Sequence, residues 1–221
     1  MKLLISALTK YLAGLLLMGL LLFLPAGTWN YPGGWLFCGL LFVPMFFLGI
    51  VLFIKAPTLL EKRLRNRESQ TEQKQVVGLS ALMFVGGFVL AGLDFRFGWT
   101  TVPIWMVVIA SILLLASYGL YAEVMRENTW LSRTVEVQDG QTVVDSGLYG
   151  IVRHPMYAVT ILLFLMIPLV LGSWYALIAF AFYPAVIVVR LKDEEELLTR
   201  ELPGYAEYKQ KVKYRIIPFI W

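Results

Sequence analysis

An uncharged run of 35 residues, 155–189, constrains the fold of this chain more than any other feature. As one helix rising 1.5 Å per residue it would be about 50 Å long, well beyond the roughly 30 Å hydrocarbon core of a bilayer. The run must therefore turn back on itself, and Pro168 with Gly172-Ser173-Trp174 marks where. We predict a helical hairpin of two membrane spans.

The rest of the chain is equally apolar. Hydrophobic residues make up 59% and charged residues 15% of the 221 positions, with a mean hydropathy of +0.72, which excludes a soluble domain of this size. Four apolar segments precede the hairpin, at about 5–26, 35–54, 76–93 and 102–122. The sequence predicts an all-α integral membrane protein with about six transmembrane helices, in which four glycines of the third span permit close helix approach, namely Gly78, Gly86, Gly87 and Gly92.

The basic residues predict the orientation in the membrane. With six spans, 18 of the 19 Lys and Arg residues fall on one side, and only Arg96, in a predicted loop with Asp94, falls opposite. The positive-inside rule then predicts that both termini, a basic surface segment at 55–75 and both ends of the hairpin are cytoplasmic. The basic residues flank hydrophobic spans, so the net charge of +4 indicates contact with anionic membrane lipids and not with nucleic acid. The segment at 55–75 reads as a topology determinant; the alternative is a patch that recruits substrate.

The unusual chemistry lies at the two ends of the uncharged run. Before it stands SGLYGIVRHPMY (146–157), in which Pro155 suits the first position of a helix and His154 the cap. The free N–H groups of that first turn, with Arg153, would hold a small anion. An Arg-His pair can also be a simple interfacial anchor. The charged segment 190–196 at the far end of the run favours a site, because the hairpin brings both clusters to one membrane face.

A single cysteine, Cys38, and a single histidine, His154, limit the other classes of site. They exclude an internal disulfide and the zinc and iron sites built from several Cys or His residues. We therefore predict no metal.

GLYGIVRHPMY, the hairpin, EEELL and PGYAEYKQKVKYRIIP together resemble the C-terminal half of the isoprenylcysteine carboxyl methyltransferases and their bacterial and phospholipid-methylating relatives. The resemblance covers roughly Asn128 to Pro218. It implies an S-adenosylmethionine-dependent methyltransferase. Membrane sterol reductases carry a similar RHPNY, so RHP alone does not distinguish the two classes.

The polar segments match the chemistry of S-adenosylmethionine. The helix start with Arg153 and His154 suits its carboxylate, and Glu194 or Glu195 suits its ammonium group. Tyr149 and Tyr157 could enclose the adenosine, and the resemblance implies further donor contacts at matching positions, among them Gln141, where the family usually has His. The predicted donor-binding residues are Gln138, Gln141, Thr142, Val143, Val144, Tyr149, Arg153, His154, Pro155, Met156, Tyr157, Glu194 and Glu195.

Arg190 and Glu194 are predicted to be catalytic. They are four residues apart and so share a helix face, which would also suit a plain ion pair. The resemblance implies that Arg190 orients the carboxylate of the acceptor, a group that is already ionised and needs no general base. Proximity, alignment and exclusion of water would supply the rate. We expect the carboxylate of an isoprenylcysteine, or a similar lipophilic acid, to enter from the bilayer.

We expect two regions. Residues 1–125 would hold four spans and the basic cytoplasmic loop at 55–75, and residues 126–221 would bind the methyl donor, with a hairpin at 155–189 and a cytoplasmic tail. Within that tail, 201–213 reads as an amphipathic lid helix. Three alternatives remain: methylation of a phospholipid amine or a small thiol, a membrane NADPH-dependent sterol-type reductase, and a non-catalytic scaffold. Met156 in place of Asn, and the Glu pair, argue against the reductase.

Overall fold

The computed structural model describes residues 2–64, 71–131 and 136–221, and they form a bundle of α-helices. No part of this described chain is a β-strand. The predicted basic loop at 55–75 is only partly covered, because residues 65–70 lie outside the described ranges. The helices are α1 (Lys2–Ala26), α2 (Pro32–Lys55), α3 (Pro57–Leu64), α4 (Thr71–Phe97), α5 (Ile104–Glu127), α6 (Pro155–Leu171), α7 (Trp174–Phe180), α8 (Tyr183–Glu201) and α9 (Tyr205–Lys211).

Five helical segments are long and apolar enough to cross a membrane: α1, α2, the 80–97 part of α4, α5, and α7 with α8 taken together. The predicted fifth span is α6, which is apolar but has only 17 residues and would be about 25 Å long. The prediction of an all-α integral membrane protein is confirmed. The sidedness and the division at residue 125 stay predictions.

The hairpin turns where the sequence places it. Helix α6 ends at Leu171, and Gly172 adopts the left-handed conformation (φ 82°) that closes helices at low cost to glycine. Ser173 then caps α7, its hydroxyl accepting from the N–H of Ala176 at 3.0 Å. The returning helix is broken before Tyr183, because Pro184 cannot donate a backbone hydrogen bond. Helix α8 continues past Arg190 to Glu201.

Asp94 lies, like Arg96, in the last turn of α4 and not in a loop, which corrects the sequence expectation. It is buried, and it accepts hydrogen bonds from the N–H and hydroxyl of Thr100 and from the hydroxyl of Ser173. These bonds satisfy a buried carboxylate and fasten the tip of the hairpin to the α4–α5 connection. The end of the bundle opposite the two charged clusters is therefore held by polar contacts.

The core lies where α1, α2, α4, α5, α6 and α7 meet, around Leu22, Phe37, Phe88, Leu114 and Phe180. Only two of the four predicted α4 glycines permit close approach. A Cβ on Gly87 would meet the Phe180 ring at 2.5 Å, and one on Gly92 would meet the Leu22 carbonyl at 2.6 Å. Gly78 and Gly86 have no heavy atom within 4 Å of that position.

Replacing Gly92 with alanine is expected to destabilise the protein by about 1–3 kcal/mol, because the added methyl group meets backbone of α1 that cannot move aside. Gly86→Ala, on the same helix, should instead raise stability by up to about 1 kcal/mol, because alanine favours helix and the position is open. Thermal unfolding in detergent compares the two variants. A pair of shifts with the same sign would contradict this packing of α1 on α4.

Candidate active site

A cavity of about 550 Å³ opens between the start of α6, α8, α9 and the segment after α5. On α6, Phe164 lies two turns deeper than Tyr157, and on the antiparallel α8, Tyr183 lies two turns deeper than Arg190. The Phe164 ring packs against Tyr183, with centroids 4.6 Å apart. The cavity therefore has a polar mouth and an apolar interior about 10 Å further into the bundle.

The hydroxyl of Tyr157 stands between the two predicted catalytic residues. It donates a hydrogen bond to Glu194 Oε2 and accepts one from Nε of Arg190 at 3.1 Å. The ring of His154 stacks on Tyr157 with centroids 5.6 Å apart. The α6 start and α8 are thus joined at the cavity mouth by side chains that the sequence places 33 and 37 residues apart.

Glu195 faces away from this trio into a buried ionic cluster. Its Oε1 accepts from Arg153 Nε at 2.6 Å and contacts His154 Nε2 at 3.3 Å, while its Oε2 accepts from Arg215 Nε at 3.0 Å. Arg153, His154 and Glu195 are all at least 93% buried. Three donors around one carboxylate are what a buried charge requires to be tolerated.

The same two residues, Arg153 and His154, also bind the C-terminal tail, which is residues 212–221. The guanidinium of Arg153 and the backbone N–H groups of Arg153 and His154 donate to four successive carbonyls in the tail. The distances are 2.7–2.9 Å, and the acceptors are Val212, Lys213, Tyr214 and Arg215. The N–H groups of residues 153 and 154 are therefore used within the protein, and the N–H of His154 is not free to hold an anion at the start of α6, which corrects part of the sequence expectation.

The segment after α5 lines the opposite wall. Gln138 and Gln141 form its turn: the Gln141 N–H donates to the Gln138 carbonyl, Gln138 N–H donates to Gln141 Oε1, and Gly140 has φ 74°. The side chain of Gln138 also donates to the Trp130 carbonyl at 2.6 Å. The chain therefore turns at Asp139-Gly140, and Gln138 anchors the loop.

Helix α9 covers the cavity with two tyrosines. Tyr208 donates to the Tyr149 carbonyl at 2.7 Å and so fixes α9 on the turn before α6. Tyr205 lines the cavity, is 96% buried, and its hydroxyl has no hydrogen-bond partner among the described residues. Burial raises the pKa of Tyr205 well above its usual range, and Glu195 and Glu194 raise it further, so the hydroxyl stays protonated as a donor. This hydroxyl is therefore available to a molecule bound in the cavity.

Most of the predicted site residues meet at this cavity. Those that line it are Gln141, Thr142, Val143, Val144, Tyr149, Arg153, His154, Met156, Tyr157, Arg190 and Glu194. Gln138, Pro155 and Glu195 are not among the lining residues. The lining residues that sequence reasoning missed include Ser80, Ala81, Phe84, Tyr121, Tyr183 and Val186. They sit within predicted spans, where nothing in the sequence separates a cavity wall from ordinary packing.

Comparison with known proteins agrees with the geometry. Residues 105–200 match the model of the isoprenylcysteine carboxyl methyltransferase (ICMT) family. The chain is 32% identical over 91 residues to Delta(14)-sterol reductase TM7SF2 of Mus musculus, and 30% identical over 95 residues to the uncharacterized protein YpbQ of Bacillus subtilis (strain 168). These matches span 40% and 42% of this chain, but only 22% and 56% of the two relatives. The resemblance seen around RHPMY and the glutamate pair is thereby confirmed over residues 105–200, which match the ICMT family model.

Proposed function

We propose that this protein is an integral membrane methyltransferase that uses S-adenosylmethionine and methylates the carboxylate of an isoprenylcysteine or a similar lipophilic acid. The observation that carries the proposal is the Tyr157 hydroxyl bridging Glu194 and Arg190 at the boundary between the polar mouth and the apolar interior. The Glu194 carboxylate, which suits the cationic methyl donor, thus lies beside the Arg190 guanidinium, which suits the anionic methyl acceptor. The family match supports the methyltransferase class.

The residues present fit the methyl donor. Glu194 would accept hydrogen bonds from its ammonium group, and Tyr205 offers the unpartnered hydroxyl described above. Arg153 would supply positive charge for its carboxylate, with His154 beside it, and the segment 141–144 and Tyr149 would enclose the rest. When bound, S-adenosylmethionine supplies an electrophilic methyl group on a sulfonium, and S-adenosylhomocysteine remains after transfer.

Arg190 would position the acceptor. Its guanidinium is directed to Tyr157 by a hydrogen bond and lies between the apolar interior and Glu194. An isoprenyl chain in the interior would leave its carboxylate near this guanidinium, a geometry that aligns the attacking oxygen with the donor methyl. The carboxylate is ionised at neutral pH, so the protein need supply only alignment and exclusion of water.

We also propose that the cavity mouth and both termini are cytoplasmic. The distribution of Lys and Arg supports this by the positive-inside rule. In the structure the Lys10 ammonium, near the start of α1, donates to the Leu64 carbonyl at the end of α3, so these two segments lie at one level of the bundle. The acceptor would then enter from the bilayer and the donor from the cytoplasm.

Methyl transfer to defined acceptors tests the proposal. Purified protein with tritium-labelled S-adenosylmethionine is expected to label N-acetyl-S-farnesylcysteine, and the label should be released as methanol by mild base, as a methyl ester requires. The methyl ester of the same compound is the control, because it has no free carboxylate and should accept nothing. Base-stable label in phosphatidylethanolamine or a small thiol would place the enzyme in the alternative acceptor classes. NADPH-dependent reduction of a sterol without methyl transfer would contradict the proposal.

A further inference from the structure

The C-terminal tail, residues 212–221, is tied to the cavity although none of its described residues lines it. Its first four carbonyls accept from Arg153 and His154, as described above. Beyond them, Ile216 packs into a cluster with Ile187 and Leu191 of α8. The tail is therefore clamped between the start of α6 and the helix that carries Arg190 and Glu194.

Arg215 lies outside the cavity and joins the tail to Glu195. Of the three donors to Glu195, Arg153 and His154 line the cavity and Arg215 does not. Arg215 takes the oxygen Oε2, leaving Oε1 for the other two. The side chain of Arg215 is 34% exposed and also lies over the Trp221 ring at 5.3 Å, so its own position is fixed by the tail.

We propose that Arg215 is a positioning residue for methyl-donor binding, acting through Glu195 on Arg153 and His154. The inference rests on the proposed function. Without Arg215, Oε2 of Glu195 loses the one donor that it has among the described residues, and the carboxylate rotates to recover a hydrogen bond. Because Arg153 and His154 share Oε1, rotation of the carboxylate shifts the side chains of both residues at the cavity wall. Affinity for S-adenosylmethionine falls although no residue that touches it has changed.

Titration of the full-length protein in detergent with S-adenosylhomocysteine tests this role. Arg215→Gln is expected to weaken binding about tenfold, because a neutral amide can donate to Oε2 only a weaker hydrogen bond than the charged guanidinium does. Arg215→Lys should keep affinity within about threefold of wild type, because its ammonium can still donate to Oε2. Arg200→Gln is the matched control: it removes the same charge from an exposed pair with Glu201 on α8 and should leave affinity unchanged.

The outcomes separate the inference from the function on which it rests. No binding by wild-type protein would overturn the proposed function itself. Wild-type affinity in Arg215→Gln, or no recovery in Arg215→Lys, would overturn the role of Arg215.

Hydrogen exchange on wild-type protein gives a second test that needs no variant. If the tail and the donor site are coupled, S-adenosylhomocysteine must by reciprocity slow exchange of the amides of residues 212–217. Unchanged exchange there, at a concentration that saturates binding, would contradict the coupling whether or not Arg215→Gln folds.

Discussion

Replacing Arg190 with glutamine is expected to lower kcat/KM for N-acetyl-S-farnesylcysteine about a hundredfold or more, while affinity for S-adenosylhomocysteine stays within about threefold of wild type. The guanidinium would be the group that holds the acceptor carboxylate in line with the donor methyl, and misplacing a reacting atom by about 1 Å costs that much rate. Donor affinity persists because Glu194, Tyr205 and His154 remain. Initial rates over a range of acceptor concentrations, beside calorimetric titration, measure both quantities.

The control for Arg190 is Arg200→Gln, which removes one charge from an exposed position of the same helix. It should leave kcat/KM unchanged. Equal loss of donor binding and turnover in Arg190→Gln would mean that this guanidinium serves the donor or the fold and does not position the acceptor.

Arg153→Met is expected to cost about 3 kcal/mol of stability and to abolish detectable donor binding. The substitution removes the shortest ion pair to a buried carboxylate and two hydrogen bonds to tail carbonyls. Removing one member of a buried ionic cluster is strongly destabilising, because the remaining charge has neither its partner nor water to solvate it. Thermal unfolding in detergent, with and without S-adenosylhomocysteine, measures the loss.

Arg153→Lys should recover only part of that stability. A single ammonium group cannot reproduce the planar fork that reaches Glu195 and the tail together. Wild-type stability in Arg153→Met would contradict the account of the cluster, since Glu195 would then need no such partner.

The sequence predicts the membrane class and the convergence of the two clusters for one physical reason. A 35-residue apolar run cannot remain straight in a bilayer, so its two charged ends must return to the same face. The turn therefore brings Arg153 near 190–196 however the helices pack. This proximity is confirmed by the 2.6 Å contact between Arg153 and Glu195.

The sequence could not predict which of Glu194 and Glu195 faces Tyr157, because that depends on how α8 is rotated about its axis. Glu194 and Glu195 are equivalent in chemistry, and neighbouring helix positions point about 100° apart. Only the packing of α8 against α6 turns Glu194 to Tyr157 and Glu195 to Arg153. The roles of the α4 glycines likewise depend on which helix lies opposite, because Gly92 contacts α1 while Gly86 faces open space.

The span count shows a related limit. Hydropathy shows only how long an apolar segment is. Helix α6 is apolar throughout, but it has only 17 residues because it ends at the Gly172 cap. The contact between the C-terminal tail and the start of α6 could not be predicted from the sequence either. Its interaction with Arg153 and His154 is made by backbone carbonyls, which carry no sequence signature.

Calorimetric titration of the purified, detergent-solubilised protein with S-adenosylhomocysteine, beside Glu194→Gln, tests the central claim most directly. We expect micromolar binding to wild-type protein and its loss in Glu194→Gln, because the neutral amide cannot compensate the ammonium charge. Arg200→Gln should bind like wild type. Absence of binding to folded wild-type protein, or undiminished binding to Glu194→Gln, would contradict the assignment of this cavity to the methyl donor.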